Sequence, residues 1–321
     1  MIFYNELLDF LVASLIIIIL ASPVILLSQA KQPVKLSGYQ SKKFEIPFNI
    51  TVPDTVYNLP KKLKEISGLT YQEPNSIYAI NDEEGSLYLF NFETGDIVSE
   101  IDFGKDNDYE ALTRKDNLIY ASRSNGKIKV IDTKSKEKIN DINTPLSERN
   151  NVEGLCFDST TNKLLIACKG ELEKHKNSKG KKGIYSYSLT TETFDKDPYL
   201  IIDLKKEVGT LKPINLSTNI IQVLGVNSRL NMFAPSGMAI DPITGHLYLL
   251  ASRGKILMVI DKSKSTLGIY FLNQQLYGQP EGIVFDKKGN LYISNEAKAN
   301  EANIISLMRK SKAIKLEEAK E

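Results

Sequence analysis

Histidine and cysteine are nearly missing from this chain, with two of each in 321 residues. His175 lies in a Lys-rich loop and His246 beside a turn, and neither has metal-ligand spacing, so imidazole catalysis and zinc chemistry have little to work with. Cys156 and Cys168 fall in apolar, strand-like runs and read as buried, unpaired thiols acting as small hydrophobes, although a pairing across a turn stays open. A G-x-S-x-G elbow is absent, and Ser236 after Pro235 has no base in view. A linear D-x-D-x-D-G calcium loop is missing too. Net charge is only +2, with basic residues interspersed among acidic ones and no basic stripe, which excludes a nucleic-acid partner.

What is present first is an apolar N-terminal run, Leu11 to Leu27, broken only by Ala, Ser and Pro23. Its length suits a membrane span at the short end. Glu6 and Asp9 precede it and no Lys or Arg does, so the positive n-region of a secretory signal is missing. Ser28-Gln29-Ala30 would nevertheless serve as a cleavage site. Two readings follow: a retained single-pass anchor in the cell membrane with the rest on the exported side, or a secreted or periplasmic protein after cleavage. Residues 31–43 read as a polar linker, 44–308 as the folded domain and 309–321 as a charged tail.

The dominant signal in the domain is a phrase repeated five times: a small or acidic residue, Gly or Ala, then an aliphatic. The copies are Ser67-Gly68-Leu69, Glu110-Ala111-Leu112, Glu153-Gly154-Leu155, Ser236-Gly237-Met238 and Glu281-Gly282-Ile283. A strand-like run follows each about ten residues later, as in Leu164 to Cys168 or Leu247 to Ala251. Turns rich in Asp, Asn and Gly separate further apolar strands. Self-similarity at a period in the forties marks an array of four-stranded sheets, because one such sheet cannot bury both faces alone. The chain is therefore predicted to be an all-β propeller of five blades. A sixth blade is the alternative, since 83 residues separate Gly154 from Gly237, but Thr210 to Asn231 look helical or loop-like. Phe44 to Ile50 is expected to supply the fourth strand of the last blade and so close the ring. Tyr78, Tyr88, Tyr120, Tyr185, Tyr248 and Tyr292 read as packing between blades. The run from Glu171 to Lys182 reads as a solvated insertion.

In a propeller the first strand of each blade lines the central channel, so Ser67, Glu110, Glu153, Ser236 and Glu281 should converge. Glu65 lies two residues before Ser67 on the same strand face. Second strands end nearby and bring Asp82, Arg123, Lys169, Arg253, Asn295 and Glu296. Clustered carboxylates repel unless positive charge sits among them. Two remedies are open: a hard cation such as Ca²⁺, which takes carboxylate and carbonyl oxygens, or pairing with Arg123, Lys169 and Arg253. Glutamates that clamp neighbouring blades through backbone amides are a third, purely structural reading.

These same residues carry a resemblance. Glu65-Ile66-Ser67-Gly68-Leu69-Thr70-Tyr71, Tyr109 to Leu112, Val152 to Leu155, Pro235 to Pro242, and Gln279 to Ile283 with Gly289 to Glu296 resemble the SdiA-regulated family of bacterial envelope proteins. The resemblance runs from about Leu63 to Leu307. It implies a five-bladed propeller distantly akin to NHL-repeat propellers and a calcium site, and it supplies no biochemical activity. Carried over residue by residue, the implied ligands are Glu110, Glu153, Glu281 and Glu296, with Glu65 and Asp82 as further candidates. The chain departs from the family at Ala111, where glycine is usual, and at Arg123 and Arg253, where acidic or polar residues are expected. The resulting expectation is a membrane-tethered, calcium-binding module of the cell envelope with an unidentified protein or small-molecule ligand. A calcium-dependent hydrolase of phosphate esters or lactones is the alternative, by analogy of fold.

Overall fold

In the computed structural model the described residues are 35–310, except 171, 173–179, 217–219 and 299–300. The apolar run at Leu11 to Leu27, most of the Lys-rich insertion and the tail after Lys310 lie outside them. Among the described residues no helix is long and apolar enough to cross a membrane.

Five antiparallel sheets form the body, so the six-blade alternative falls. Blade 1 comprises Ile66–Gln72, Ser76–Asn81, Ser86–Asn91 and Ile97–Asp102. Blade 2 comprises Tyr109–Lys115, Leu118–Arg123, Lys127–Asp132 and Glu137–Asn143. Blade 3 has Val152–Asp158, Lys163–Cys168 and Lys182–Ser188, its outer edge split between Thr193–Phe194 and Leu200–Ile202. Blade 4 runs Gly237–Ile240, Leu247–Ala251, Ile256–Ile260 and Thr266–Phe271. Blade 5 has Pro280–Phe285, Leu291–Asn295 and Asn303–Leu307, completed by Thr55–Asn58. The stretch between blades 3 and 4 that is long enough for a sixth blade instead holds two helices, α1 (Leu204–Gly209) and α2 (Ile220–Asn231), and one short strand, Lys212–Ile214.

Two details of the N-terminal part differ from expectation. The closing strand is Thr55–Asn58, paired with Asn303–Ser306, and not Phe44 to Ile50. That earlier segment has the alternation of a strand, but Pro47 lacks a donor for a ladder. Ile46, Phe48 and Ile50 are instead buried among Tyr248, Tyr277 and Phe285 between blades 4 and 5. The Tyr277 hydroxyl donates to the Ile50 carbonyl at 3.1 Å. Residues 31–43, read as a linker, contain the strand Ser37–Gln40, which pairs with Gly268–Phe271 and Lys212–Ile214 and widens blade 4 to six strands.

The inner strands neighbour one another in circular order, blade 5 returning to blade 1. Close approach at the axis is why the phrase carries glycine. A Cβ on Gly68 would stand 2.7 Å from the Leu112 amide nitrogen, and one on Gly237 would stand 2.5 Å from the Glu281 carbonyl oxygen. Apolar wedges fill the space between blades, and the second- and third-strand tyrosines Tyr88, Tyr120, Tyr185, Tyr248 and Tyr292 are buried there as expected. Cys156 and Cys168 are both buried and are not joined in a disulfide.

Candidate functional site: an acidic mouth on the propeller axis

Four of the five phrase residues owe their position to a local irregularity. The register between first and second strands shifts at Ile66/Gly68, Tyr109/Ala111, Val152/Gly154 and Pro280/Ile283. Ser67, Glu110, Glu153 and Glu281 thus sit in β-bulges, which free a residue from the ladder and re-aim its side chain. Both serines tie blades together, Ser67 from its bulge and Ser236 from a regular register. Ser67 Oγ donates to the Tyr109 carbonyl at 2.8 Å and Ser236 Oγ to the Pro280 carbonyl at 2.9 Å.

A second ring of polar groups lies two residues before the phrase: Glu65, Asp108, Asn151 and Gln279. Their carbonyls accept from the amides of Asp82, Ser124, Lys169 and Glu296, at 3.2, 3.1, 2.8 and 3.0 Å. In blade 4 the same place is an Ala234–Arg253 bridge. This recurring bond sets the ends of the second strands on the same rim as the phrase. Only Glu65 was singled out at this position from the sequence; extending the same two-residue offset to every repeat finds Asp108, Asn151 and Gln279.

The six expected ligands converge in two linked halves. In one, Glu110 and Glu281 each interact electrostatically with Glu153 and with Lys169. Lys169 Nζ donates to Glu153 Oε1 at 2.7 Å, and Asn151 Nδ2 donates to the same oxygen at 2.8 Å. Asn151 reaches it from a left-handed backbone, φ 46°. Glu153 is 4% exposed. In the other half, Glu65 and Glu296 are hydrogen-bonded to each other, Gln279 donates to Glu296, and Asp82 lies within the field of Glu65. Lys64, itself largely exposed, pairs with Glu65 at 3.2 Å. Glu281 and Glu296 interact across the divide.

Charge is unbalanced at this mouth, and titration reflects it. Burial raises Glu110 above the usual carboxylate range, and the charges of Glu153 and Asp108 add to the rise. Burial also raises Glu153, against the pull of Lys169. Glu281 is pushed up to about 7 by burial and then by Glu153. Glu296 is pushed up to about 8 by burial and by its bond with Glu65, which is itself lowered by accepting that proton's hydrogen bond. Burial pulls the Lys169 ammonium down, but Glu153, Glu281 and Glu110 outweigh it and raise it overall. Of the three basic residues expected to neutralise the acids, Lys169 is the one seen doing so. Arg123 instead lies in the field of Tyr109, its Nε buried with no hydrogen-bond partner among the described residues.

The donor set is one of hard oxygens, the kind Ca²⁺ takes. Asp82 Oδ1 and Asn295 Oδ1 are buried without a hydrogen-bond partner among the described residues. As arranged, though, no three acidic, His or Cys side chains among the described residues form a ready-made metal cage, and Lys169 stands where a cation would meet Glu153. The channel beneath, lined by Ser67, Glu110, Ser236 and Glu281, leaves about 10 Å³ for the centre of a water, barely enough for one. A ligand larger than a water does not fit this cavity.

Taken together, the closed ring of five sheets and the carboxylates at its axis define a five-bladed β-propeller with an acidic mouth. The family model described as SdiA-regulated matches residues 48–299, and the chain belongs to that family. No curated protein matches it. Among solved structures it is similar to the glutaminyl cyclase of Myxococcus xanthus, with a TM-score of 0.54 and 12% identity over 80% of this chain and 95% of that one. It also resembles a streptogramin B lyase, at a TM-score of 0.44 and 14% identity over 79% of this chain and 97% of the other. The first likeness is one of fold, and the second is too distant to bear on function.

Proposed function

We propose that this protein is a non-enzymatic binding module of the cell envelope, tethered by its apolar N-terminal segment, whose ligand docks at the acidic mouth with Ca²⁺ as the bridging cation. One observation carries the reading: the mouth gathers more carboxylates than the half-buried Lys169 can balance, so that Glu281 and Glu296 hold protons near neutral pH. A cation replaces those protons. Glu65, Asp82 and Glu296, the half without a buried ammonium, would hold it first, with Glu281 beside them. The Glu110–Glu153 half already has its positive charge in Lys169. Bound there, Ca²⁺ would supply positive charge to which an anionic group of a ligand can attach. The hydrolase alternative draws less support, because Lys169, the basic residue at the mouth best placed to cradle a phosphate, is engaged by Glu153.

Calorimetric titration of the full chain in detergent with CaCl₂, against Glu296→Gln and Glu153→Gln variants, tests this. The expected result is binding that Glu296→Gln abolishes and Glu153→Gln weakens less. Flat traces for the unmodified chain would end the calcium reading.

A further inference from the structure

Outside the mouth, the feature with no role so far is helix α2. Its inner side is committed: Val226 and Leu230 pack on the blade 3–4 core. Arg229 donates to the carbonyls of Gly254, Lys255 and Leu272 at 2.6, 2.7 and 3.0 Å, and its guanidinium stacks on Phe271 at 4.5 Å. The other side is bare. Leu224 is 62% exposed and Val223 40%, while Asn227, Ser228 and Asn231 complete an outward surface without a charge. Met232, just past the helix, is 46% exposed. From Val208 to Ile240 the chain has no Asp or Glu, although 39 acids occur in the whole.

The position of this surface says what could cover it. The strand Ser37–Gln40 enters blade 4 with Ser37 paired to Phe271, the residue on which Arg229 of α2 stacks. Asn215, five residues before the helix, donates from Nδ2 to the Leu36 carbonyl at 2.8 Å. The chain leading back to the apolar segment therefore leaves blade 4 beside α2. Only residues 28–36 separate Leu27 from Ser37, and fully extended they reach about 30 Å. An uncharged helix surface with exposed aliphatics, at the point of attachment to a membrane-inserted segment, suits the lipid interface.

We infer that α2 rests its outward side on the bilayer to which the N-terminal segment anchors the protein. Arg229 lies at the same end of blade 4 as Ser236 and the phrase, so the acidic mouth then opens toward the membrane. The ligand it meets is one presented by that surface. This inference rests on the tether proposed above.

The test uses the full chain in vesicles of phosphatidylcholine and phosphatidylglycerol. An environment-sensitive fluorophore is placed through Leu224→Cys, through Met232→Cys, or, as control, through Ile139→Cys on the outer strand of blade 2. The native thiols are buried and do not compete. Lipids brominated on their acyl chains are expected to quench the labels at 224 and 232 at least about two-fold more than the label at 139. Equal background quenching at all three sites, in protein that floats with the vesicles, overturns the docking of α2 and leaves the tether standing. Protein that fails to float overturns the tether, and this inference with it. A poorly folded Leu224→Cys variant leaves the Met232 reporter to decide.

Discussion

The Lys169 ammonium lies 2.7 Å from a carboxylate oxygen of Glu153, a side chain that is almost wholly buried. This one contact gives the Glu110, Glu153 and Glu281 half a mostly buried ammonium, whereas the Glu65, Asp82 and Glu296 half has the exposed Lys64. It also makes Lys169 a residue whose removal from the mouth should be felt. Lys169→Met leaves Glu153 buried with the Asn151 side-chain amide donating to it. Because Lys169 is itself partly exposed, the expected loss is below that of a fully buried pair, about 1–3 kcal/mol. Urea unfolding measures it, and the double variant Lys169→Met/Glu153→Gln should recover most of the loss.

Stability should fall as pH rises. Glu281 and Glu296 have folded-state pKa values of about 7 and about 8, against an ordinary value of 4.5. Between 4.5 and those values the folded chain binds more protons than the unfolded one, so each unit of pH removes stability, at most about 1.4 kcal/mol per group. Melting temperature measured without divalent cations should therefore drop from pH 5 to pH 8, and Glu281→Gln with Glu296→Gln should flatten the curve. A melting temperature that climbs across this window would contradict the assignment of buried, protonated carboxyls.

Arg309, just after the last strand, pairs with Asp241, which is fully buried at the base of blade 4. Asp241 also accepts from the Thr244 hydroxyl at 2.7 Å and the Ile243 amide at 3.0 Å. Truncating the arginine strands the carboxylate. Arg309→Ala should cost about 3–5 kcal/mol, read from a denaturant midpoint. Arg309→Lys should restore only part of it, because an ammonium cannot reproduce the guanidinium's bond to the Gly289 carbonyl as well.

Gly237→Ala should destabilise although alanine is the smallest addition possible. Its Cβ would meet the Glu281 carbonyl at 2.5 Å, and the inner strand of blade 5 would have to move. The expected loss is about 1–3 kcal/mol, with a weaker cation response because Glu281 moves with its backbone.

Much of this was readable from the residues, for a physical reason. Five blades must present the same residue to the same axis, so the phrase glycines and glutamates recur and betray the ring. What lacked a repeat was harder to see. Phe44, Ile46, Phe48 and Ile50 alternate as a strand does, and burial drives that pattern whether or not a ladder forms. The true closing strand, Thr55–Asn58, lies on an outer edge with three of its four residues exposed, so hydrophobicity gives no hint of it. The pairing of Ser37–Gln40 with blade 4 spans some 230 residues of chain, beyond any local signal. At the mouth, residue type disclosed the acids, but the singling out of Lys169 over Arg123 and Arg253 depends on which second-strand end turns inward.

Ser37–Gln40 bears on how load would travel through the molecule. A pull delivered from the N-terminal side meets blade 4 first, where that strand is hydrogen-bonded on both flanks, to Gly268–Phe271 and to Lys212–Ile214. Thr55–Asn58, the clasp that holds the ring shut, lies further along the chain and is shielded from the tension. Tension from that side would thus be taken up by blade 4 before the circle could be prised apart.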